Sequence, residues 1–160
     1  MTESLTWERT TWGDPRAEVL LAAMDAEISP RYAALRGTAA PPAPPSGEDV
    51  DHVLLALVDG VPAATGTLRR LPDRWEVKRL FIAAAHRRRG LAGAVLERLE
   101  ASARELGAQE VYLQTGNRQP EAIALYERTG WERVEVYSPY DPTDGISICF
   151  RKPLTAAVPR

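Results

Sequence analysis

The stretch WEVKRLFIAAAHRRRGLAGAVLERLEASAREL, residues 75–106, predicts a strand, a basic loop and a long helix in succession. Residues 75–82 are rich in β-branched and aromatic side chains and predict a strand. Residues 90–106 place leucine, valine and alanine along one broad face and charged side chains along the other. That pattern predicts a long amphipathic helix, and Gly107 is a natural residue to end it. A short loop that contains three consecutive arginines and a glycine joins the two elements.

The loop Arg87-Arg88-Arg89-Gly90 suits the binding of a pyrophosphate. The first N–H groups of a helix have no partner within it, and the positive end of the helix dipole lies there. A glycine lets the backbone approach a ligand closely. The chain has neither GxxxxGK[ST] nor GxGxxG, which excludes a P-loop and a dinucleotide-binding fingerprint. The plainer alternatives for the loop are a solvated basic turn or a nucleic-acid patch.

Outward from this unit, the sequence predicts one α/β domain over residues 1–160, with a mixed, mostly antiparallel sheet flanked by helices. Asp59-Gly60 and Pro72-Asp73 are turn signals that make three successive strands antiparallel. The predicted strands are 5–11, 53–58, 61–71, 75–82, 110–115, 131–137 and 146–151. The predicted helices are 15–28, 90–106 and 121–128, with a short helical piece after Pro30 and a loop over 41–47.

Composition narrows the classes of function. The chain has 160 residues and a formal net charge of -2, so it has no general attraction for nucleic acid or an anionic membrane. A single cysteine, Cys149, excludes an intramolecular disulfide and a cysteine-rich zinc site, and we expect no metal. The N-terminus shows no signal-peptide pattern and no apolar run reaches 18 residues. We therefore expect a cytoplasmic protein.

Two motifs carry a resemblance to a known family. Arg87-x-x-Gly90-x-Ala92 fits the pattern [Q/R]-x-x-G-x-[G/A], and residues 122–131, AIALYERTGW, fit A-x-x-L-Y-x-x-x-G-[F/W]. With these motifs and its order of elements, nearly the whole chain resembles the GNAT N-acetyltransferase superfamily. The resemblance implies an N-acetyltransferase that transfers an acetyl group directly from acetyl-CoA to a primary amine.

The same resemblance implies where acetyl-CoA binds. Its pyrophosphate would contact the backbone N–H groups of Arg87, Arg88, Arg89, Gly90, Leu91 and Ala92. Its pantetheine arm would lie beside Leu80, Phe81 and Ile82, pairing with their backbone like an added strand. Asn117 and Tyr126 would also contact the cofactor.

Two side chains are candidates for the chemistry. Glu76 resembles the base position of the family and would take the proton of the amine, directly or through water. Strand alternation predicts that Glu76 shares a face with Lys78 and Leu80. Tyr126 matches the family's tyrosine acid, which would protonate the departing thiolate. The plainer alternatives are a core aromatic for Tyr126, and for Glu76 a solvated carboxylate or an ion-pair partner of Arg74 or Lys78.

The acceptor is expected to be a small-molecule amine, bound near Glu27, Tyr32 and Tyr140, where the family builds its acceptor pocket. Dimers are frequent in such families, so a homodimer is a possible assembly, although the sequence does not reveal the oligomeric state. The charge balance leads us to expect no nucleic-acid or membrane partner. Two other functions stay open at this point. One is a non-catalytic acyl-CoA-binding or regulatory module on the same fold, and the other is an interaction domain without a cofactor.

Overall fold

The computed structural model describes residues 3–36 and 47–154. Its strands are β1 Leu5–Thr10, β2 Val50–Val58, β3 Val61–Leu71, β4 Arg74–Ile82, β5 Glu110–Gly116, β6 Glu132–Val134 and β7 Ser147–Pro153. Its helices are α1 Pro15–Arg36, α2 Leu91–Glu105 and α3 Pro120–Arg128. Short 3-10 turns lie at Gly47–Asp49 and Ala84–His86. The α/β fold class predicted from the sequence is confirmed.

The strands form one sheet in the order β1-β2-β3-β4-β5-β7-β6. All neighbouring pairs are antiparallel except β4 and β5, which run parallel. The two predicted hairpins join β2 to β3 and β3 to β4, so the turn signals gave the correct pairing. The parallel pair requires a crossover, and α2 supplies it.

Helices cover both faces of the sheet. On one face, Val95, Leu96 and Leu99 of α2 and Tyr126 of α3 pack on the alternating apolar residues of β2 to β5 and β7. On the other face, Leu20 of α1 packs on buried residues of β2 and β4. The apolar stripe of α2 predicted from the sequence therefore lies against the main core.

A β-bulge in β4 changes which side chains share a face. Thr67 pairs with Lys78 while Thr65 pairs with Phe81, so two residues of β4, Arg79 and Leu80, lie opposite one residue of β3. Arg79 has a φ of 56° there. Because Thr65 and Thr67 point the same way, Lys78 and Phe81 share a face.

Leu80 packs instead on the α2 face, in the same cluster as Val77. The predicted common face of Glu76, Lys78 and Leu80 is therefore wrong for Leu80, because strict alternation does not anticipate a bulge.

Two element boundaries also differ from the prediction. Helix α1 continues through Pro30 as one helix of 22 residues, where the sequence suggested a helix and a separate piece. The loss of one hydrogen bond at Pro30 is offset by packing, since Tyr32 in the following turn is 2% exposed. The strand predicted at 131–137 is limited to the three residues of β6. Most of the loop predicted at 41–47 lies outside the described residues.

No helix in the ranges 3–36 and 47–154 is long and apolar enough to cross a membrane.

Candidate active site

The parallel strands β4 and β5 diverge. They pair at only two positions, Glu76 with Tyr112 and Val77 with Leu113, although β4 runs on to Ile82 and β5 to Gly116. On its other side β5 stays paired with β7 along its whole length. The backbone of residues 78–82 therefore has an edge toward β5 without a strand partner, and an extended ligand can add to such an edge.

The loop after β4 leads into α2 with two left-handed residues. Arg88 has a φ of 64° and Gly90, the N-cap of α2, a φ of 77°. None of the side chains that the structure describes caps this end of α2. The N–H groups of Leu91, Ala92 and Gly93 belong to the first turn, where intrahelical partners are missing. Helix α2 has 15 residues. The positive end of such a helix, with open N–H groups, fits a phosphate.

The arginine side chains of this loop point to other elements. The Arg87 guanidinium donates to the Ile82 carbonyl at 3.1 Å and pairs with Glu27 of α1 at 2.6 Å. Arg89 pairs with Glu3. Arg88 forms no ion pair within the described part of the chain. The backbone of the loop, more than its side-chain charge, is thus oriented for a ligand.

Glu76 lies at the centre of a buried polar cluster. It is fully buried and pairs with Arg69 of β3 through Arg69 Nε and Glu76 Oε1, 2.7 Å apart. Tyr137 donates to Oε2 at 2.5 Å and Tyr140 donates to Oε1 at 3.1 Å. Burial and the Glu76 carboxylate raise the pKa of both tyrosines, so both phenols stay protonated and keep donating.

The ion-pair partner of Glu76 is Arg69. The sequence suggested Arg74 or Lys78 as the partner, and that suggestion is wrong. Sequence reasoning missed Arg69, although a signal was present. A hairpin that turns at Pro72-Asp73 pairs Leu71 with Arg74, and counting back along both strands brings Arg69 opposite Glu76. No sequence pattern brings Tyr137 to the same carboxylate, because it comes from a long irregular segment between β6 and β7.

The other two predicted cofactor contacts are Tyr126 of α3 and Asn117, which directly follows β5. Tyr126 is buried, with its ring 5.5 Å from Phe150 and 6.1 Å from Trp131. Burial raises the pKa of its phenol. The hydroxyl makes no hydrogen bond within residues 3–36 and 47–154, which leaves it available to a ligand. The side-chain amide of Asn117 donates to the Gly145 carbonyl at 2.8 Å and joins the end of β5 to the loop before β7.

The three residues predicted near the acceptor occupy different places. Tyr140 is half-buried and contacts Glu76. Tyr32 is buried, and its hydroxyl accepts from the N–H of Arg118 at 3.0 Å, which ties α1 to the segment after β5. Glu27 pairs with Arg87 of the loop that precedes α2. Of the three, Tyr140 alone lies in the Glu76 cluster. Cys149 is buried, and no group suited to hold a metal occurs in the described ranges.

The fold and this site define a class of protein, and comparison with known proteins names it. The model of the acetyltransferase (GNAT) family matches residues 9–131. The chain belongs to this family.

Relatives and solved structures agree with that assignment. A protein named IAA acetyltransferase from Azospirillum brasilense is 38% identical over 79 residues, 49% of this chain and 51% of the relative. The match to human N-acetyltransferase 8 is 34% identical over 83 residues, 52% of this chain and 36% of that protein. The chain thus aligns with about half or less of these curated relatives. A structure described as an acyl-CoA N-acyltransferase from Klebsiella pneumoniae is 28% identical, with a TM-score of 0.76 over 94% of this chain and 98% of that one.

Proposed function

We propose that the chain is an acetyl-CoA-dependent N-acetyltransferase that acts on a small-molecule primary amine. The observation that carries the proposal is the divergence of β4 and β5 beside the uncapped start of α2. Family membership and a GNAT acetyltransferase from Elizabethkingia anophelis, solved with acetyl-CoA bound and similar in fold, support the choice of donor.

The proposed cofactor contacts follow from this geometry. The backbone N–H groups of residues 87–92 would bind the pyrophosphate, since the N-cap Gly90 is left-handed and no side chain closes the helix end. The unpaired edge of Leu80, Phe81 and Ile82 would bind the pantetheine amides. We propose that Asn117, which follows β5, and Tyr126 of α3 contact the cofactor as well.

When bound, acetyl-CoA supplies a thioester whose acetyl group the amine nitrogen takes as the carbon–sulfur bond breaks. Two proton transfers accompany this step: one proton leaves the amine and one goes to the thiolate. We propose Tyr126 as the donor to the thiolate, because its phenol is protonated and its hydroxyl is available.

Glu76 is proposed to receive the proton of the amine through Tyr140. Both carboxylate oxygens already accept hydrogen bonds and the side chain is fully buried, so direct contact with an acceptor is blocked. Tyr140 is half-buried and donates to Glu76, so its oxygen can accept from the amine while its proton passes to the carboxylate.

Release of free thiol from acetyl-CoA in the presence of a panel of amines tests the proposal. Glu76→Gln and Tyr126→Phe should each lower kcat by roughly 100-fold or more, the lower end of the range for general acid–base catalysis, and leave acetyl-CoA affinity nearly unchanged. Circular dichroism of each variant serves as the control for folding. Unchanged turnover in both variants would rule out the assigned roles, and wild-type protein that binds acetyl-CoA without turnover would indicate a non-catalytic acyl-CoA-binding module.

A further inference from the structure

Lys78 is a partly buried cation whose contacts in the described part of the chain include no carboxylate. Its ammonium donates to Gln114 Oε1 at 3.1 Å and lies 4.7 Å from the centre of the Tyr140 ring. No ion pair of Lys78 occurs within the described ranges. Both contacts are with neutral groups, so burial dominates and lowers the pKa of Lys78 to about 8.

The chain has only one other lysine, Lys152, and its ammonium has both a carboxylate and a carbonyl partner. Its ammonium is 2.8 Å from the buried Glu100 carboxylate and 2.8 Å from the Thr129 carbonyl. Lys78 has nothing comparable, because the nearest carboxylate, Glu76, already accepts from Arg69, Tyr137 and Tyr140. An unpaired cation in a partly desolvated place is unfavourable unless a ligand supplies the missing charge.

A chain of hydrogen bonds fixes the position of Lys78. Gln114 donates onward to Ser147 at 3.1 Å, and Ser147 donates to Asp144 at 2.7 Å. Because the amide nitrogen of Gln114 is engaged with Ser147, the amide oxygen stays turned toward Lys78. The ammonium is therefore held between β4 and β5 on the face that Lys78 shares with Phe81.

Access to Lys78 is open on one side. Lys78, Gln114, Tyr140 and Ser147 all keep part of their surface exposed, while Glu76, Arg69 and Tyr137 behind them are buried. A small ligand that reaches the diverging strands from this face meets the ammonium before it meets the Glu76 carboxylate.

We propose that Lys78 binds a carboxylate of the acceptor, so that the enzyme acetylates amines of the amino-acid class and disfavours polyamines. The inference rests on the proposed acetyltransferase function and adds the class of its acceptor. A carboxylate would complete the ion pair that the fold leaves open, whereas a second cationic group of a polyamine would be repelled. Lys78 is on this view a specificity-determining residue.

Matched acceptors test the proposal. Thiol release is measured for α-amino acids, for their amides and for the corresponding amines without the carboxyl group, with wild type, Lys78→Met, Lys78→Arg and Lys152→Met. The wild type should favour the acids over the amides at least about ten-fold in kcat/KM, chiefly through KM, since one charge-assisted contact is at stake. Lys78→Met should reduce that preference to about two-fold or less, Lys78→Arg should retain part of it, and Lys152→Met should leave it unchanged.

The outcomes separate the two proposals. If the wild type uses amides or polyamines as well as acids, or if Lys78→Met keeps the full preference, the role of Lys78 is overturned while the acetyltransferase function stands. If acetyl-CoA binds but no amine of any kind releases thiol, both proposals fail.

Discussion

At the scale of single residues, the two tyrosines that donate hydrogen bonds to Glu76 differ in how deeply they are buried. Tyr137 is buried and its hydroxyl is 2.5 Å from Oε2, while Tyr140 is half-buried and also accepts from Arg69 at 3.2 Å. Tyr137→Phe leaves a buried carboxylate oxygen without its donor and should lower the free energy of unfolding by about 1–3 kcal/mol. Tyr140→Phe should lower the free energy of unfolding less than Tyr137→Phe does, and it should lower kcat more. Denaturant unfolding and steady-state kinetics on the pair check this, and the reverse order would contradict the relay through Tyr140.

The protein should be more stable with a neutral side chain at position 78 than with the charged lysine. Its pKa is about 8, below the ordinary 10.5, so between those values the unfolded chain binds more protons than the folded one. The destabilisation is complete below pH 8 and disappears as the pH rises toward 10.5. Lys78→Met should therefore raise the free energy of unfolding by roughly 1–3 kcal/mol at pH 7, with a gain that shrinks above pH 8. The charged and titratable groups that face Lys78 are Glu76, Arg79, Arg69, Tyr140 and Cys149.

Lys152→Met is the matched control for that measurement. It leaves the Glu100 carboxylate, 6% exposed, without its cation, and should lower the free energy of unfolding by about 3 kcal/mol. Opposite signs for the only two lysines would show that Lys78 lowers stability whereas Lys152 raises it. Equal signs would contradict the description of Lys78 as an unpaired cation.

At the scale of elements, the start of α2 contains two glycines in different conformations. Gly90 has a φ of 77°, while Gly93 lies inside the helix, and an added Cβ would meet no atom within 4 Å at either position. Gly93→Ala should raise the free energy of unfolding by about 0.5–1 kcal/mol through helix propensity. Gly90→Ala should lower it by about 1–2 kcal/mol, because a Cβ strains a left-handed residue. Thermal unfolding of both variants checks the expected signs, and stabilisation by Gly90→Ala would contradict a left-handed N-cap.

The elements themselves were largely readable from the sequence. Helix α2 and the hairpins of β2 to β4 follow from periodicity and turn residues, which act locally. The continuation of α1 through Pro30 was not readable, because it depends on the burial of Tyr32 against the end of β5. The bulge at Arg79 and Leu80 was also missed, since a register shift involves two strands and leaves no local signal.

At the scale of the whole molecule, the site is assembled from distant parts of the chain. The loop around Gly90 and the strand of Glu76 are close in sequence, and the motif identifies them together. The segment with Tyr137 and Tyr140 follows more than 60 residues after Glu76. The proposed cofactor side therefore lies in one continuous stretch, whereas the proposed acceptor side depends on tertiary contacts that no short pattern records.

We propose that the backbone at the start of α2 binds the pyrophosphate of acetyl-CoA. Calorimetric titration of the wild-type chain with acetyl-CoA, and with S-acetylpantetheine, which lacks the pyrophosphate and the nucleoside, tests it most directly. We predict saturable binding of one acetyl-CoA per chain, and binding of S-acetylpantetheine at least about ten-fold weaker, because the contacts at the helix start are lost. Equal affinity for the two compounds, or no saturable binding of acetyl-CoA, would contradict the claim.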